Sequence, residues 1–377
     1  MKKSFLSIFL IVIGFMFYWV RPSPAVTFTV NTTADTVDIN PGDGTAADAG
    51  GNCSLRAAIM EANALYGPDT IVLPEGTFKI TIGGSREDQG ETGDLDIFSH
   101  LFIRGAGKTL TVIDGSRLDR VFDISGNVNV SISDLTVVNG HAPDGKHGTA
   151  GSGGGGDGES GGGIRNIKGT LSLQNCKIVN NSAGDYDIGE CEGYGGDGGG
   201  IYSQGTLLMD RCTIHRNRAG TGWDYTEGGG ICQLGHMDIK DSVISENSGS
   251  SWGGGIFISG EASIAHTTII GNETTCSGSG GGIYVDSFSD KECTVVNCAI
   301  CGNASEYGGG IAAALDRFSW SNVRIKNTII ADNIGDTDGN CADCCGVLNS
   351  RGDNLIENIK GCDTIDNDTP PDNPAVI

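Results

Sequence analysis

Positive charge is scarce in this chain of 377 residues, where 24 Lys and Arg stand against 47 Asp and Glu and the formal net charge is −23. A surface this acidic repels nucleic acid and other polyanions unless a cation bridges them. We therefore expect no nucleic-acid partner. Oxygen-rich Asp and Glu clusters suit calcium, which is the one cofactor that the composition suggests.

Long apolar runs are also missing. The longest, at residues 5–20, is shorter than the ~20 residues needed to cross a bilayer. It follows Lys2 and Lys3 and precedes Ser23 and Ala25, which is typical of a cleavable secretory signal; an uncleaved anchor is the alternative. We expect a monomer exported to the cell surface or the medium, bound to the envelope peripherally and not as an integral membrane protein.

No complete catalytic motif is present. Gly158–Gly162 and Gly249–Gly253 fit the spacing of a nucleophile elbow, but neither has a helical pattern behind it. The six histidines are scattered along the chain, so no metal-binding pair is indicated. These absences favour a protein that is not an enzyme.

Glycine, by contrast, is abundant and patterned. The motif Gly-Gly-Gly-Ile occurs six times, and its isoleucines lie 37, 30, 25, 27 and 28 residues apart. A recurrence of this length identifies a repeat architecture. The isoleucines are Ile164, Ile201, Ile231, Ile256, Ile283 and Ile311.

A second motif, Ile-x-x-Asn, keeps step with the first. If equivalent positions stack on one another, the asparagine amides can form a hydrogen-bonded ladder at a corner; simple turn formation is the alternative. In the ladder interpretation, Asn247→Leu should cost roughly 1–3 kcal/mol of stability. The asparagines are Asn181, Asn217, Asn247, Asn272, Asn303 and Asn333.

Each repeat contains about three short strands and no helix. Around Asn217, apolar residues alternate at Leu207 and Met209 and again at Cys212 and Ile214, which is strand periodicity. Strands this short must stack as coils, at ~4.8 Å spacing, to bury one face. The pattern predicts an all-β fold, a right-handed parallel β-helix.

Residues 53–63 closely resemble the Cys-Ser-Leu-Arg-Glu-Ala motif that opens many exported bacterial β-helix proteins, with Ala57 in place of the Glu. Leu55, Ala58, Ile59 and Ala62 fall on one helical face, so a short helix can plug the end of the solenoid. We expect a signal peptide over 1–25, a cap region with this helix over 26–75, the β-helix over 76–333 and a Cys-containing region over 334–377.

Two further resemblances point to export and architecture. The paired repeats look like those of the polymorphic outer-membrane proteins, and residues 327–362 are similar to the choice-of-anchor domain of exported β-helix proteins. That domain normally continues beyond the point where this chain stops, so a truncated version is expected. The resemblances imply a pectin-lyase-like solenoid and say little about activity.

Thirteen cysteines in an exported chain imply disulfides. Cys176 and Cys212 occupy one position in adjacent repeats, as two stacked thiols or as a disulfide. A second group is expected to lie outside the strands and to form disulfides, or else a four-thiolate metal site. Its members are Cys341, Cys344, Cys345 and Cys362.

The leading functional hypothesis is a structural or adhesive scaffold that presents a long surface to polysaccharide or to a cell-surface protein. Four aromatic residues before the glycine corners could stack on sugars, or pack over the core. The alternative is a calcium-dependent polysaccharide lyase or glycoside hydrolase, which several carboxylates and an arginine converging in one groove would favour. The aromatic residues are Trp223, Tyr225, Trp252 and Tyr307.

Overall fold

The chain folds as a parallel β-helix, in which three stacks of short strands surround one apolar core. A computed structural model describes residues 24–65, 67–146, 156–186, 193–222, 226–286, 291–313, 323–335 and 341–366. Within them every named strand pair is parallel, as the repeat pattern predicts. One helix is present, and no helix of the described part is long and apolar enough to cross a membrane.

A typical coil contributes one strand to each stack, called here the first, second and third stack in chain order within the coil. The first stack contains β4 (Leu95–Ile97), β7 (Phe122–Ser125), β10 (Ile164–Ile167), β13 (Ile201–Ser203), β16 (Ile231–Gln233), β20 (Ile256–Ile258), β24 (Ile283–Val285), β27 (Ile311–Ala313) and the start of β30 (Cys344–Ser350). The second contains β1 (Thr27–Thr29), β2 (Asp69–Val72), β5 (Leu101–Arg104), β8 (Asn129–Ser133), β11 (Thr170–Gln174), β14 (Thr206–Asp210), β17 (Met237–Lys240), β21 (Ala262–Ala265), β25 (Cys293–Val296), β28 (Val323–Lys326) and the end of β30. The third contains β3 (Gly76–Lys79), β6 (Thr111–Asp114), β9 (Thr136–Val138), β12 (Lys177–Val179), β15 (Thr213–His215), β18 (Val243–Ser245), β22 (Thr268–Ile270), β26 (Ala299–Cys301), β29 (Ile329–Ala331) and β31 (Leu355–Ile356). Two short strands, β19 (Ser248–Gly249) and β23 (Glu273–Thr274), pair with each other, and β32 (Cys362–Asp366) pairs with β30.

The repeat motifs set the register of the coils. Ile201 pairs with Ile231, and Ile231 with Ile256, so the isoleucines form a fully buried column inside the solenoid. Glycine is required at the corner before each isoleucine because the coils touch there. A side-chain carbon on Gly230 would lie 2.6 Å from the Gly255 carbonyl oxygen, so even alanine would force the coils apart.

The predicted helix is present as α1 (Leu55–Ala64) and closes the N-terminal end of the core. The four residues of its predicted apolar face, Leu55, Ala58, Ile59 and Ala62, are all buried in the main apolar cluster. The Ser54 hydroxyl caps the helix by accepting a hydrogen bond from the Ala57 amide at 3.0 Å.

Arg56 anchors this cap to the first coils. Its side chain is 1 % exposed and forms a two-point ion pair with Asp35, at 2.6 and 3.2 Å. It also donates to the carbonyl oxygens of Gly90, Gly93 and Asp94. All of its polar atoms therefore have partners, as a buried guanidinium needs.

The parallel sheet extends across both boundaries drawn from the sequence. Strands β1 and β2 already belong to the second stack, before residue 76. At the other end, β30 continues the first and second stacks beyond residue 333. These terminal coils lack the Gly-Gly-Gly-Ile motif, and the less regular strand pattern of residues 71–137 does not mark where the solenoid begins.

Candidate functional site

The six asparagines form one buried ladder along the corner after the third stack. The Asn247 carboxamide oxygen accepts from the amide nitrogen and the side-chain nitrogen of Asn217, at 2.9 and 3.0 Å. Its own side-chain nitrogen donates to the Ile214 carbonyl and to Asn272. At the last rung, Asn333 donates to Asp343 at 2.9 Å. These amides are therefore saturated with hydrogen bonds and buried.

The C-terminal cysteines form two disulfides, Cys341–Cys345 and Cys344–Cys362, with Cα separations of 4.8 and 5.5 Å. The expectation that they lie outside the strands is wrong for three of them. Cys344 and Cys345 begin β30 and Cys362 begins β32, because the solenoid continues through this region without its repeat motif.

Cys176 and Cys212 are free, buried thiols in adjacent coils, as in the stacked-thiol interpretation. Each sulfur points inward and lies 3.3–3.4 Å from backbone carbonyl oxygens. They belong to the apolar core and not to a site.

The predicted aromatic patch is only partly described, because Trp223 and Tyr225 lie outside the described residues. Trp252 stacks on Tyr284, with ring centroids 5.8 Å apart. Tyr284 in turn stacks on Phe257 at 5.6 Å, so Trp252 packs over the outer side of the first stack. Tyr307, before the last glycine corner, is 40 % exposed.

A buried cluster of acidic residues and arginines was not anticipated. Arg120 is its centre: one guanidinium nitrogen lies 2.9 Å from Asp94 and 3.7 Å from Asp123, and the other bonds to Glu159. Arg165 forms a two-point ion pair with Asp123. We call these five residues, together with Asp96, the acidic–arginine cluster.

Two aspartates of this cluster are strongly perturbed. Burial, together with the charges of Asp94 and Asp123, raises the pKa of Asp96 to about 8. A hydrogen bond from the Gly90 amide acts in the opposite direction and lowers this pKa. Burial likewise raises the pKa of Asp94 to about 7, although Arg120 opposes the rise. The cluster therefore gains negative charge as the pH rises through neutrality. Asp96 and Asp123 occupy the same outward position in two successive coils. This recurrence is hard to see in the sequence because neither coil carries the glycine motif.

The raised pKa of Asp96 should make the fold less stable at alkaline pH. Because its folded-state pKa is raised, its stabilising contribution is complete below pH ~4 and is lost as the pH rises through about 8. We expect Asp96→Asn to be more stable than the native chain at pH 9 by more than about 1 kcal/mol, and to have a smaller loss of stability between pH 5 and 9. Denaturant unfolding at both pH values measures this.

The exposed Asp238→Asn is the matched control for that experiment and should leave the pH dependence unchanged. An Asp96→Asn variant with the native pH dependence would show that Asp96 titrates outside this range.

In the part of the chain that the structure describes, two groups of side chains have ligand atoms close enough to hold a metal ion. In the group of Asp88, Asp96 and Asp123, both oxygens of Asp123 are already engaged by Arg165. That group is part of an ion-pair network and not a metal centre.

The second group is Asp197, Glu227 and Cys232, whose ligand atoms all lie within 4.8 Å of one another. The Glu227 amide donates to Asp197 at 2.8 Å, and the Cys232 sulfur lies 3.7 Å from a Glu227 oxygen. Burial raises the pKa of Asp197 to about 7, and burial with the Asp197 charge raises that of Glu227 to about 8.

A shallow groove of about 580 Å³ runs along the outer side of the second stack. It crosses five successive strands, β8, β11, β14, β17 and β21, which span about 19 Å at the usual strand spacing. Outward side chains of alternate residues line it. They include Ser172, Gln174, Leu208, Asp210, Asp238 and Lys240.

Comparison with known proteins yields one structural likeness. No family model and no curated protein matches the chain. Among solved structures it is similar to the A-module of the Azotobacter vinelandii mannuronan C-5 epimerase AlgE6, with 15% sequence identity and a TM-score of 0.32, over 84% of this chain and 91% of that chain. The strand pairing of the chain itself defines it as a parallel β-helix protein, and the finer resemblances from the sequence motifs stay predictions.

Proposed function

We propose that the protein is an exported scaffold that binds an extended polysaccharide along the groove of the second stack. The observation that carries this proposal is the groove itself, an open surface that crosses five coils. Its lining combines polar side chains with the apolar surface of Leu208. Glycan sites need this combination, because a sugar presents hydroxyl groups at its edges and C–H groups on its faces.

Charge narrows the class of polysaccharide. The net charge of −23 and the groove residues Asp210 and Asp238 disfavour an anionic polymer, although Lys240 lies 4.0 Å from Asp210 and partly offsets it. A neutral glucan-type chain fits the groove without a cation. A uronate polymer would need calcium to bridge its carboxylates to the acidic surface.

The proposal also includes export of the protein from the cytoplasm. The signal-like segment at residues 1–25 lies outside the described residues except for its last two. The two disulfides fit an oxidising compartment. We place the protein at the cell surface or in the medium, as a monomer held peripherally by polysaccharide or a cell-surface protein.

A lyase or hydrolase is the second candidate, and the acidic–arginine cluster is the observation that favours it. Carboxylates and arginines do converge there, with pKa values near neutrality as acid–base catalysis requires. However, Asp94, Asp96, Asp123 and Arg120 are each at most 4 % exposed, and none of them lines the groove. A polysaccharide in the groove does not meet them, so binding is the better-supported function.

The proposal is tested by placing a charge on the floor of the groove. Leu208 is half-buried and points outward in the middle strand, so Leu208→Asp should fold while adding charge where a sugar face would lie. We expect at least a tenfold loss of affinity, about 1.4 kcal/mol, for the bound polymer. Isothermal titration with neutral glucans and with uronate polymers, with and without Ca²⁺, measures it.

Thr213→Asp is the matched control, because Thr213 points outward from the third stack in the same coil. It should bind as the native chain does. Equal weakening by both variants, or no binding to any polymer of the panel, would reject the groove. Turnover of a polymer that Asp96→Asn abolishes would instead establish the enzymatic candidate.

A further inference from the structure

Among the free cysteines that the structure describes, Cys232 differs from the buried thiols of the core in its direction. Cys232 is the middle residue of β16, between the inward residues Ile231 and Gln233, so its side chain points out of the solenoid. It is nevertheless 0 % exposed. By contrast, the sulfurs of Cys176 and Cys212 point into the core and contact backbone carbonyl oxygens.

Two carboxylates cover this sulfur. Asp197 and Glu227 each stand directly before a glycine corner, in two successive coils. The turn at Gly228 brings Glu227 back over β16, so that its carboxylate lies 3.7 Å from the Cys232 sulfur. The three ligand atoms lie within 4.8 Å of one another.

The charged groups that act on the two carboxylates are acidic. Among the described residues, no Lys or Arg is one of the groups that shift the pKa of Asp197 or Glu227, and both side chains are half-buried. In the preceding coil, Glu159 at an almost equivalent position bonds to Arg120 and Arg86. An uncompensated carboxylate at this burial is costly, so it takes up a proton or binds a cation.

The types of ligand atom in the group indicate which cation it would bind. Calcium and magnesium take oxygen ligands, whereas zinc accepts thiolate sulfur together with carboxylate oxygen. At zinc bond lengths of about 2.0–2.3 Å, tetrahedral ligand atoms lie about 3.5 Å apart, so small side-chain adjustments bring these three atoms into place. Three protein ligands leave a fourth position for water or a ligand oxygen.

We propose that Asp197, Glu227 and Cys232 form a binding site for a zinc-class divalent cation that joins two successive coils at the glycine corner. Binding displaces to solvent the Cys232 thiol proton and any proton that the two carboxyl groups carry, and it gives one thiolate and two carboxylate ligands. The site is not part of the groove, so this proposal does not depend on polysaccharide binding.

Cobalt substitution tests it on the full chain, with the disulfides intact and under anaerobic conditions. We expect Co²⁺ to give a sulfur-to-cobalt charge-transfer band that saturates at one ion per chain and that Zn²⁺, but not Ca²⁺, displaces. Cys232→Ser should abolish the band. Cys276→Ser, at an exposed free cysteine, is the matched control and should retain it.

Asp197→Asn and Glu227→Gln should each weaken Co²⁺ binding at least tenfold while circular dichroism stays native, and Asp238→Asn should not. These variants keep the test decisive if Cys232→Ser does not fold. A band that survives in Cys232→Ser, binding unaffected by both carboxylate variants, or equal displacement by Ca²⁺ would overturn the proposal.

Discussion

Replacing Arg120 by methionine should lower the free energy of unfolding by about 3–5 kcal/mol. Methionine keeps an unbranched apolar stem but removes the guanidinium charge that Asp94, Asp123 and Glu159 share. All of these carboxylates except Glu159 are at most 4 % exposed, so water cannot replace the lost partner. Denaturant unfolding of the variant at pH 7 measures the loss.

The loss of stability caused by Arg120→Met should increase as the pH rises. The Arg120 charge acts to lower the pKa of Asp94, which burial holds at about 7, so the variant's Asp94 titrates at a still higher pH. At pH 5 Asp94 is protonated, so the variant loses the least stability. At pH 9 Asp94 must ionise without a partner or stay protonated against the pH, so the variant loses more stability. Adding Asp94→Asn to Arg120→Met should therefore recover part of the stability at pH 9.

Arg216→Met is the matched control for Arg120→Met. Arg216 also bridges two coils, through Glu246 at 2.7 Å, but both side chains are more than half exposed. We expect no measurable change in its unfolding curve. Similar losses in the two variants would mean that coil-to-coil ion pairs matter regardless of burial.

The repeat region was predictable because each position is specified several times. Ile231 and Asn247 recur at equivalent places in six coils, and stacking at a fixed spacing converts that recurrence directly into contacts. The capping helix was predictable for a similar reason, since the spacing of Leu55, Ile59 and Ala62 is helical.

The candidate sites were less predictable because their residues do not recur. Asp197, Glu227 and Cys232 differ from the residues at the same positions of the next coils, such as Trp252 and Phe257. Only the register of the coils shows which of these side chains meet. Asp94, Asp96, Arg120 and Asp123 of the acidic–arginine cluster precede the first Gly-Gly-Gly-Ile motif, so the sequence does not show how they align with Glu159 and Arg165 beside that motif.

Asn247→Leu should lower the free energy of unfolding by about 3 kcal/mol or more, which is at or above the top of the range that the sequence alone suggests. Leucine removes the acceptor of the Asn217 amide, one of the two acceptors of the Asn217 side-chain nitrogen and one donor to the Ile214 carbonyl. Each buried group left unsatisfied costs about 1–3 kcal/mol. Asn129→Leu, at an exposed strand position, is the control and should have little effect on the unfolding curve.

The damage should also be local, because each coil contacts chiefly its neighbours. Hydrogen exchange followed by mass spectrometry should show faster exchange in peptides that contain Asn217, Asn247 and Asn272, and native exchange near the capping helix. An equal acceleration over the whole solenoid would mean that the coils unfold as a single cooperative unit. A neutral unfolding curve would mean that the ladder amides exchange their partners for water at no cost, and that the corner is held by the glycine contacts alone.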